Sequence, residues 1–310
     1  TRFGGDSLGL GEVTIAQMVK QVGYRTGLFG KWHLGRYAGY RPHERGFDEF
    51  LGHYHGHIEE YDYSNQLVHN GNPVTARGYV TDLFTDAALD FVEENQHEPF
   101  FCYLAYNAPH SPFVVGTSHD RLPEGDKLIE KYLGRGLPLR EARIYAMCEI
   151  IDSNVGRLLQ KLDDLELAEN TVVMFLCDNG GVSKAFKAGL FGGKASTYEG
   201  GVRSPLFVRW PGQFKPATID LLTSHVDLTP TICELTNATL PDDRTIDGKS
   251  LVPLLTGRSS DPVHEFVYYT WDRFTPNRDT RWGLSGQRFK LCANGGTGAK
   301  NVPMRLYDRV

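Results

Sequence analysis

The 310-residue sequence predicts an α/β protein on a mostly parallel sheet flanked by helices, followed by a small antiparallel unit. Three observations carry this. Amphipathic helical stretches alternate with short apolar runs from Val13 to Trp210, the pattern of successive βα units. The apolar run Thr171–Cys177 ends abruptly in Asp178-Asn179-Gly180-Gly181, as a buried parallel strand does where it delivers polar groups at its carboxyl edge. Beyond the polar turn residues Arg258–Pro262, strand-like segments follow one another without long helices between them.

Bulk composition narrows the function classes. With 40% hydrophobic and 23% charged residues, the chain can bury a sizeable core. The expected division is residues 1–257 as a large domain and 258–310 as the start of a smaller C-terminal subdomain. A net charge of -5 argues against a general grip on nucleic-acid phosphates, while leaving room for a local cationic pocket. The five cysteines are scattered, four of them in apolar or helical runs, so they indicate neither a disulfide framework nor a zinc site. No apolar run approaches membrane-spanning length.

In chain order, Ile15, Met18, Val19 and Val22 mark one face of a helix that Gly23 stops. Tyr24–Phe29 is a strand, and Gly30-Lys31-Trp32-His33-Leu34-Gly35 follows it directly. Alternation can set Lys31 and His33 on one face, an anion-binding cation beside a proton-moving imidazole; a turn with a solvated Lys and a hydrogen-bonded His reads equally well. Tyr37–Asn72 is loop-like, and His53, His55 and His57 alternate there. That alternation makes a transition-metal site conceivable, but the flanking Gly52, Tyr54 and Gly56 suit an irregular, substrate-facing loop better. Val80 through Val92 trace an amphipathic helix running to about Asn95. The strand Phe100–Tyr106 ends in Asn107-Ala108-Pro109-His110-Ser111-Pro112, where two prolines give His110 a rigid platform.

Gly116–Pro138 reads as polar loop, and Ile144 to Leu162 as a long helix. Asp178 and Asn179 offer one charged and one neutral hard oxygen, which suits Ca²⁺ or Mg²⁺ better than a soft metal, although Asn-Gly is also a hairpin signal. Lys194 stands in a glycine-lined segment close to this pair. A nucleotide-loop reading of that segment fails, because Ala188 and Ala195 stand where Gly and Ser or Thr are required. Leu206–Trp210 is a strand, a helix begins near Asp227, and His264–Trp271 and Gln287–Cys292 are the C-terminal strands.

Several of these stretches together resemble the formylglycine-dependent sulfatases of the alkaline-phosphatase-like superfamily. Gly23-Tyr24-Arg25-Thr26 followed by Gly30-Lys31-Trp32-His33-Leu34-Gly35 is similar to that family's second signature. Gly46-Phe47-Asp48-Glu49-Phe50, Ala108-Pro109-His110-Ser111-Pro112, Asp178-Asn179-Gly180, Gly193-Lys194 and Tyr198-Glu199-Gly200-Gly201-Val202-Arg203 follow in the family's order. So do Asp227-Leu228-Thr229-Pro230-Thr231, Gly248-Lys249-Ser250-Leu251 and Leu306-Tyr307-Asp308.

The resemblance implies an alkaline-phosphatase-like fold and hydrolysis of a sulfate ester, with a sulfated carbohydrate as partner. It implies that Lys31 and Lys194 hold sulfate oxygens and that Asp178 and Asn179 complete a Ca²⁺ site, with Mg²⁺ second. It also implies that His33 contacts the formylglycine and that His110 protonates the leaving oxygen. Periplasmic or secreted location is the family expectation. None of the five cysteines is followed by the family's nucleophile pattern, Cys/Ser-x-Pro/Ala-x-Arg; among them Cys292-Ala293-Asn294 comes nearest and fails. The paired acids expected near the amino terminus are absent too. The expectation is therefore a fragment lacking both ends, a poor Ca²⁺ binder that is inactive alone. Two rivals stand beside it: a phosphodiesterase or phosphonate hydrolase of the same superfamily, and a non-catalytic protein that binds sulfated glycans.

Overall fold

Leu28 and Phe29, adjacent in the strand after the first helix, are both fully buried, so this strand is covered on its two faces. The computed structural model describes residues 7–59, 61, 63–115, 123–182, 187–271, 281–295 and 302–309. It divides into two compact units, one of Asp6–Ala168 with Thr236–Thr239, the other of Glu169–Leu235 and Leu240–Val310.

The first unit begins with helix α1 (Ile15–Gln21). Thr14 accepts from the Gln17 amide at 3.1 Å while the Gln17 side chain accepts from the Thr14 amide at 2.9 Å, a reciprocal cap for two otherwise orphaned donors. Strands β1 (Arg25–Lys31), β2 (Glu49–His53), β3 (Tyr63–His69) and β4 (Asn72–Arg77) follow, then α2 (Val80–Glu94) and β5 (Phe100–Ala105). The sheet order is β4-β3-β2-β1-β5; β2, β1 and β5 are parallel, and β3 and β4 run antiparallel at one side. Leu28 joins Ala16 of α1, Trp32, Phe47 and Phe50 in one cluster, while Phe29 meets Phe91 of α2 at 5.5 Å. The central parallel strands are thus flanked by helices on both faces.

The segment 116–138, read from sequence as loop, contains helix α3 (Pro123–Leu133). Its sparse apolar residues hid it; the rings of Tyr132 and Tyr145 stack at 5.2 Å and join it to α4 (Leu139–Asp164). The helix α4 lies along α2 through Asn154–Asp82 (2.7 Å), Arg157–Asp86 (2.5 Å) and Lys161–Glu93 (2.7 Å). The stretch 37–72 likewise holds β2 and β3, whose short apolar pairs Phe50-Leu51 and Leu67-Val68 are diluted by glycine and histidine.

In the second unit, β6 (Val173–Leu176) pairs antiparallel with β7 (Leu206–Arg209), with the short helix α5 (Glu199–Val202) between them in sequence. The sequence reading made Thr171–Cys177 a buried parallel strand. Here it is shorter and half-buried, with Leu176 40% exposed. An apolar β-run reports burial of its side chains but does not choose the direction of its partner. The helices α6 (Leu228–Thr236) and α7 (Val252–Leu255) precede an antiparallel sheet of β8 (Val267–Thr270), β9 (Arg281–Ser285), β10 (Phe289–Asn294) and β11 (Arg305–Asp308), in the order β11-β10-β9-β8.

The fully buried Asp227 organises the approach to that sheet. Its carboxylate accepts from the amides of Ser224 (2.8 Å) and Lys249 (2.9 Å) and pairs with His264 Nε2 (2.7 Å). A buried carboxylate needs such donors, so the Asp227 and Gly248-Lys249 motifs are read here as one structural device.

Candidate functional site

In the first unit the site grows from the carboxyl ends of three parallel strands. Gly30 pairs with both Gly52 and Ala105, and Lys31 pairs with His53. A Cβ at Gly30 would lie 2.0 Å from the Ala105 carbonyl oxygen, and one at Gly52 1.8 Å from that of Gly30. These two glycines let the strand ends close up beneath the polar residues that follow. Trp32 turns into the core, donating to the Tyr40 carbonyl at 2.9 Å and meeting Phe47 edge-on at 6.0 Å. Lys31 stays half-buried and His33 exposed on either side of it. His33 has φ 56, so the backbone has left the strand there and simple alternation no longer relates it to Lys31.

The turn between β2 and β3 brings the imidazoles near one another. A Cβ on Gly56 would lie 2.6 Å from the His33 ring, and His57 stacks on His110 with centroids 6.2 Å apart. His110 is held by a buried relay: Asn107 Nδ2 donates to the Tyr61 hydroxyl (2.5 Å), which donates to the His110 carbonyl (2.9 Å). Both prolines around His110 follow cis peptide bonds. His110 Nδ1 lies 2.8 Å from the Ser111 carbonyl. A carbonyl can only accept, so Nδ1 carries the proton and Nε2 is the nitrogen that exchanges one. His53 is fully buried, neither ring nitrogen makes a well-formed hydrogen bond among the described residues, and its pKa is pushed down to about 3 by burial and then by the nearby Lys31, His55 and His33, which together outweigh the opposing effect of the His55 backbone. It is a neutral neighbour of Lys31.

In the second unit a cavity of about 810 Å³ is lined by Asp178, Asn179, Lys187, Lys194, His225 and Trp271, among others. The local backbone explains the meeting. The Lys194 amide donates to the Gly181 carbonyl at 3.1 Å, tying the lysine loop to the turn that carries the Asp-Asn pair. The Gly180 amide donates to the Gly201 carbonyl at 3.0 Å, and a Cβ on Gly180 would lie 2.1 Å from the Gly200 oxygen. The glycines after the Asp-Asn pair and in α5 are therefore one close contact. Asn179 Nδ2 donates to Asp178 Oδ1 at 2.5 Å.

The pair supplies one charged and one neutral oxygen and fits a hard divalent cation in kind. It gives two of the about six to eight oxygens that Ca²⁺ takes. Among the described residues no cluster of three or more His, Cys, Asp or Glu adds to it.

The residues singled out from sequence thus fall into two groups. Lys31, His33 and His110 belong to the first unit, and Asp178, Asn179 and Lys194 to the second. The sequence reading gave no role to Lys187 or His225, which join the second group, and it placed His57 in a substrate-facing loop in preference to a transition-metal site. The alternating His53-Tyr54-His55-Gly56-His57 pattern was the available signal for the last.

Residues 1–238 match the family model described as Sulfatase, and residues 188–302 match that described as N-sulphoglucosamine sulphohydrolase, C-terminal. An arylsulfatase of Hemicentrotus pulcherrimus is 30% identical over 296 residues, covering 84% of this chain and 49% of its own length. The N-acetylgalactosamine-6-sulfatase of Homo sapiens is 33% identical over 291 residues, covering 84% of this chain and 51% of its own. The chain spans about half the length of these relatives. The crystal structure of Ps i-CgsB in complex with k-i-k-neocarrahexaose superposes with a TM-score of 0.84 at 27% identity, over 99% of this chain and 70% of that one. Among the described residues no helix is long and apolar enough to cross a membrane.

Proposed function

The chain belongs to the sulfatase family of the alkaline-phosphatase-like superfamily, and from that premise we propose that the protein hydrolyses a sulfate ester on a sulfated carbohydrate, ROSO₃⁻ + H₂O → ROH + SO₄²⁻ + H⁺. The observation that carries the reading is the second-unit cavity, where a cation, Lys194, is bonded through its own backbone to the turn bearing Asp178 and Asn179. The relatives act on sulfated substrates by name, and the Ps i-CgsB structure holds a carrageenan-type hexasaccharide. The N-acetylgalactosamine-6-sulfatase name and the oligosaccharide complex support a glycan over a lipid or steroid.

In this reading Lys194 neutralises charge spread over the sulfate oxygens in the second unit, and Lys31 is the first unit's candidate cation for the same kind of oxygen. His110 protonates the departing sugar oxygen from Nε2, its Nδ1–H anchored on the Ser111 carbonyl. His33 is the second imidazole able to move a proton at neutral pH. Asp178 and Asn179 would hold Ca²⁺, which when bound supplies Lewis-acid neutralisation of anionic oxygen. The chain carries no Cys/Ser-x-Pro/Ala-x-Arg motif for a formylglycine nucleophile, so no step is assigned to one. A periplasmic or secreted setting suits such substrates.

The deciding experiment incubates the native protein separately with p-nitrophenyl sulfate, a p-nitrophenyl phosphonate monoester and a sulfated oligosaccharide, and follows nitrophenol and inorganic sulfate. Sulfate release from the ester and the sugar is expected of the full-length protein, and none from the 310-residue chain by itself, which carries no nucleophile motif. Turnover confined to the phosphonate would transfer the protein to the rival hydrolase class, and glycan binding without any turnover would leave a binding protein.

A further inference from the structure

Beside the Asp178–Lys194 cavity lies a second cavity of about 810 Å³ in the same unit, bounded by Lys187, Phe191, Lys194, Tyr198, Arg281 and Asn294 among others. The two share the wall Gly192–Ser196 but differ in charge. The first includes the Asp178 carboxylate, whereas the second has three cations and, among its described lining residues, no carboxylate. We propose that this second cavity is an anion subsite for a neighbouring sugar of the glycan, taking a further sulfate or carboxylate substituent. The proposal rests on the sulfated-carbohydrate reading and sharpens its substrate class to an oligosaccharide with anionic groups on adjacent residues.

Arg281 carries the argument. Its Nε donates to the Gly295 carbonyl at 2.7 Å, its Nη1 to the Ala195 carbonyl at 3.2 Å, and its guanidinium lies 4.5 Å from the Trp271 ring centroid. These contacts fix the plane of the fork and use two of its five donors. Three N–H groups remain, one on Nη1 and two on Nη2, held in a fixed plane that can present donors to two oxygens of a sulfate or carboxylate, a geometry that a lysine cannot supply. The Lys187 ammonium adds a second positive charge, one of its donors being spent on the Gly192 carbonyl. Asn294 is a brace, not a ligand: its side chain exchanges hydrogen bonds with Thr197 at 2.8 and 2.9 Å, joining β10 to the loop.

Phe191 supplies an apolar platform. It is 59% exposed, yet its ring is held edge-on by Tyr198 at 4.8 Å and stacked on Tyr307 at 6.2 Å. A fixed, exposed aromatic ring beside fixed cations suits the apolar face of a sugar that also carries an anionic group. Because the two cavities share a wall, one oligosaccharide laid across Gly192–Ser196 presents a substituent to each.

The test compares the native protein with Arg281→Gln and Phe191→Ala by calorimetric titration against two probes, a multiply sulfated carrageenan hexasaccharide and monosulfated p-nitrophenyl sulfate. Arg281→Gln should weaken the hexasaccharide about tenfold more than the small ester, the loss of one charge-assisted bidentate contact. Phe191→Ala should do so about threefold more, and because the side chain is exposed this variant keeps the test alive if Arg281→Gln unfolds. Equal losses on both probes, or none on either, would overturn the subsite. Competition by an unsulfated, uronate-bearing hexasaccharide assigns the cavity to carboxylate, and competition by the sulfated one alone assigns it to sulfate; either supports the proposal. Selective binding without sulfate release would end the hydrolase reading and leave the subsite standing, while sulfate release with no probe selectivity would do the reverse.

Discussion

The carboxyl ends of β1, β2 and β5 in the first unit and the loop Lys187–Gly201 in the second both present a lysine in a glycine-rich setting, but they place it by different means. Lys31 is set by sheet register, opposite His53, on strands packed so closely that Gly30 and Gly52 admit no Cβ. Lys194 is set by single backbone bonds between loops, its amide on the Gly181 carbonyl and Gly180 against Gly200. A charge placed by register inherits the rigidity of a sheet. One placed by loop-to-loop bonds depends on a few small residues staying small.

The largest effect that bears on this contrast is catalytic. In the full-length protein, removing the ammonium in Lys194→Ala should lower kcat/KM for a sulfate ester about 100- to 1,000-fold with an unchanged circular dichroism spectrum, the size of losing one preorganised charge or donor. The backbone bond to Gly181 survives that substitution, so the loop stays in place. Unchanged kinetics would remove Lys194 from the reaction and leave Lys31 as the sulfate cation.

Next in size is a pair of glycine substitutions. In Gly180→Ala the new methyl meets the Gly200 carbonyl oxygen at 2.1 Å, a backbone atom that cannot step aside. In Gly56→Ala it meets the His33 ring at 2.6 Å, a side chain that can rotate away. Urea denaturation should show a loss of about 3 kcal/mol for the first and about 1 kcal/mol for the second. Equal losses would mean that the first-unit turn is as unyielding as the second-unit loop, and the contrast drawn above would fail.

That contrast also explains what could be read from the sequence. Where position follows from periodicity, residues were legible: Tyr24–Phe29 read as a strand, Val80–Val92 as a helix face, and Gly30-Lys31 as the polar continuation of that strand. The Asp178-Asn179 turn and Lys194 were singled out for their residue chemistry, and they line one cavity of one unit. Direction was not legible in the strand before them, because β6 needs Leu206–Arg209, distant in sequence, to define it. The helix α3 was missed because its apolar content is low and much of its support comes from Tyr145 and Glu149 of α4. Arg281, bonded to the carbonyl of Ala195, was beyond reach because a loop contact 86 residues away leaves no periodic trace.

A third effect separates the two units by pH. His53 is buried and neutral with a pKa of about 3, against 6.5 for an exposed imidazole. Between those values the unfolded chain binds a proton that the folded one refuses, so stability falls as pH drops from about 6.5. In the second unit burial alone would raise the Glu199 carboxyl, but the Lys290 hydrogen bond and the charges of Lys290 and Arg309 outweigh it and hold it below its ordinary 4.5. That group's stabilisation is complete above its unfolded pKa and is lost as pH falls through the acidic range. From pH 6.5 down to pH 5 the first-unit term therefore acts without the second. Over that interval His53 should remove about 2 kcal/mol from the unfolding free energy measured in urea. His53→Leu, close in volume and unable to titrate, should flatten that slope while leaving the fall below about pH 4.5 intact. A slope unchanged by His53→Leu would mean the imidazole is protonated or hydrated in the fold, and that the Lys31 neighbourhood is wetter than its burial implies.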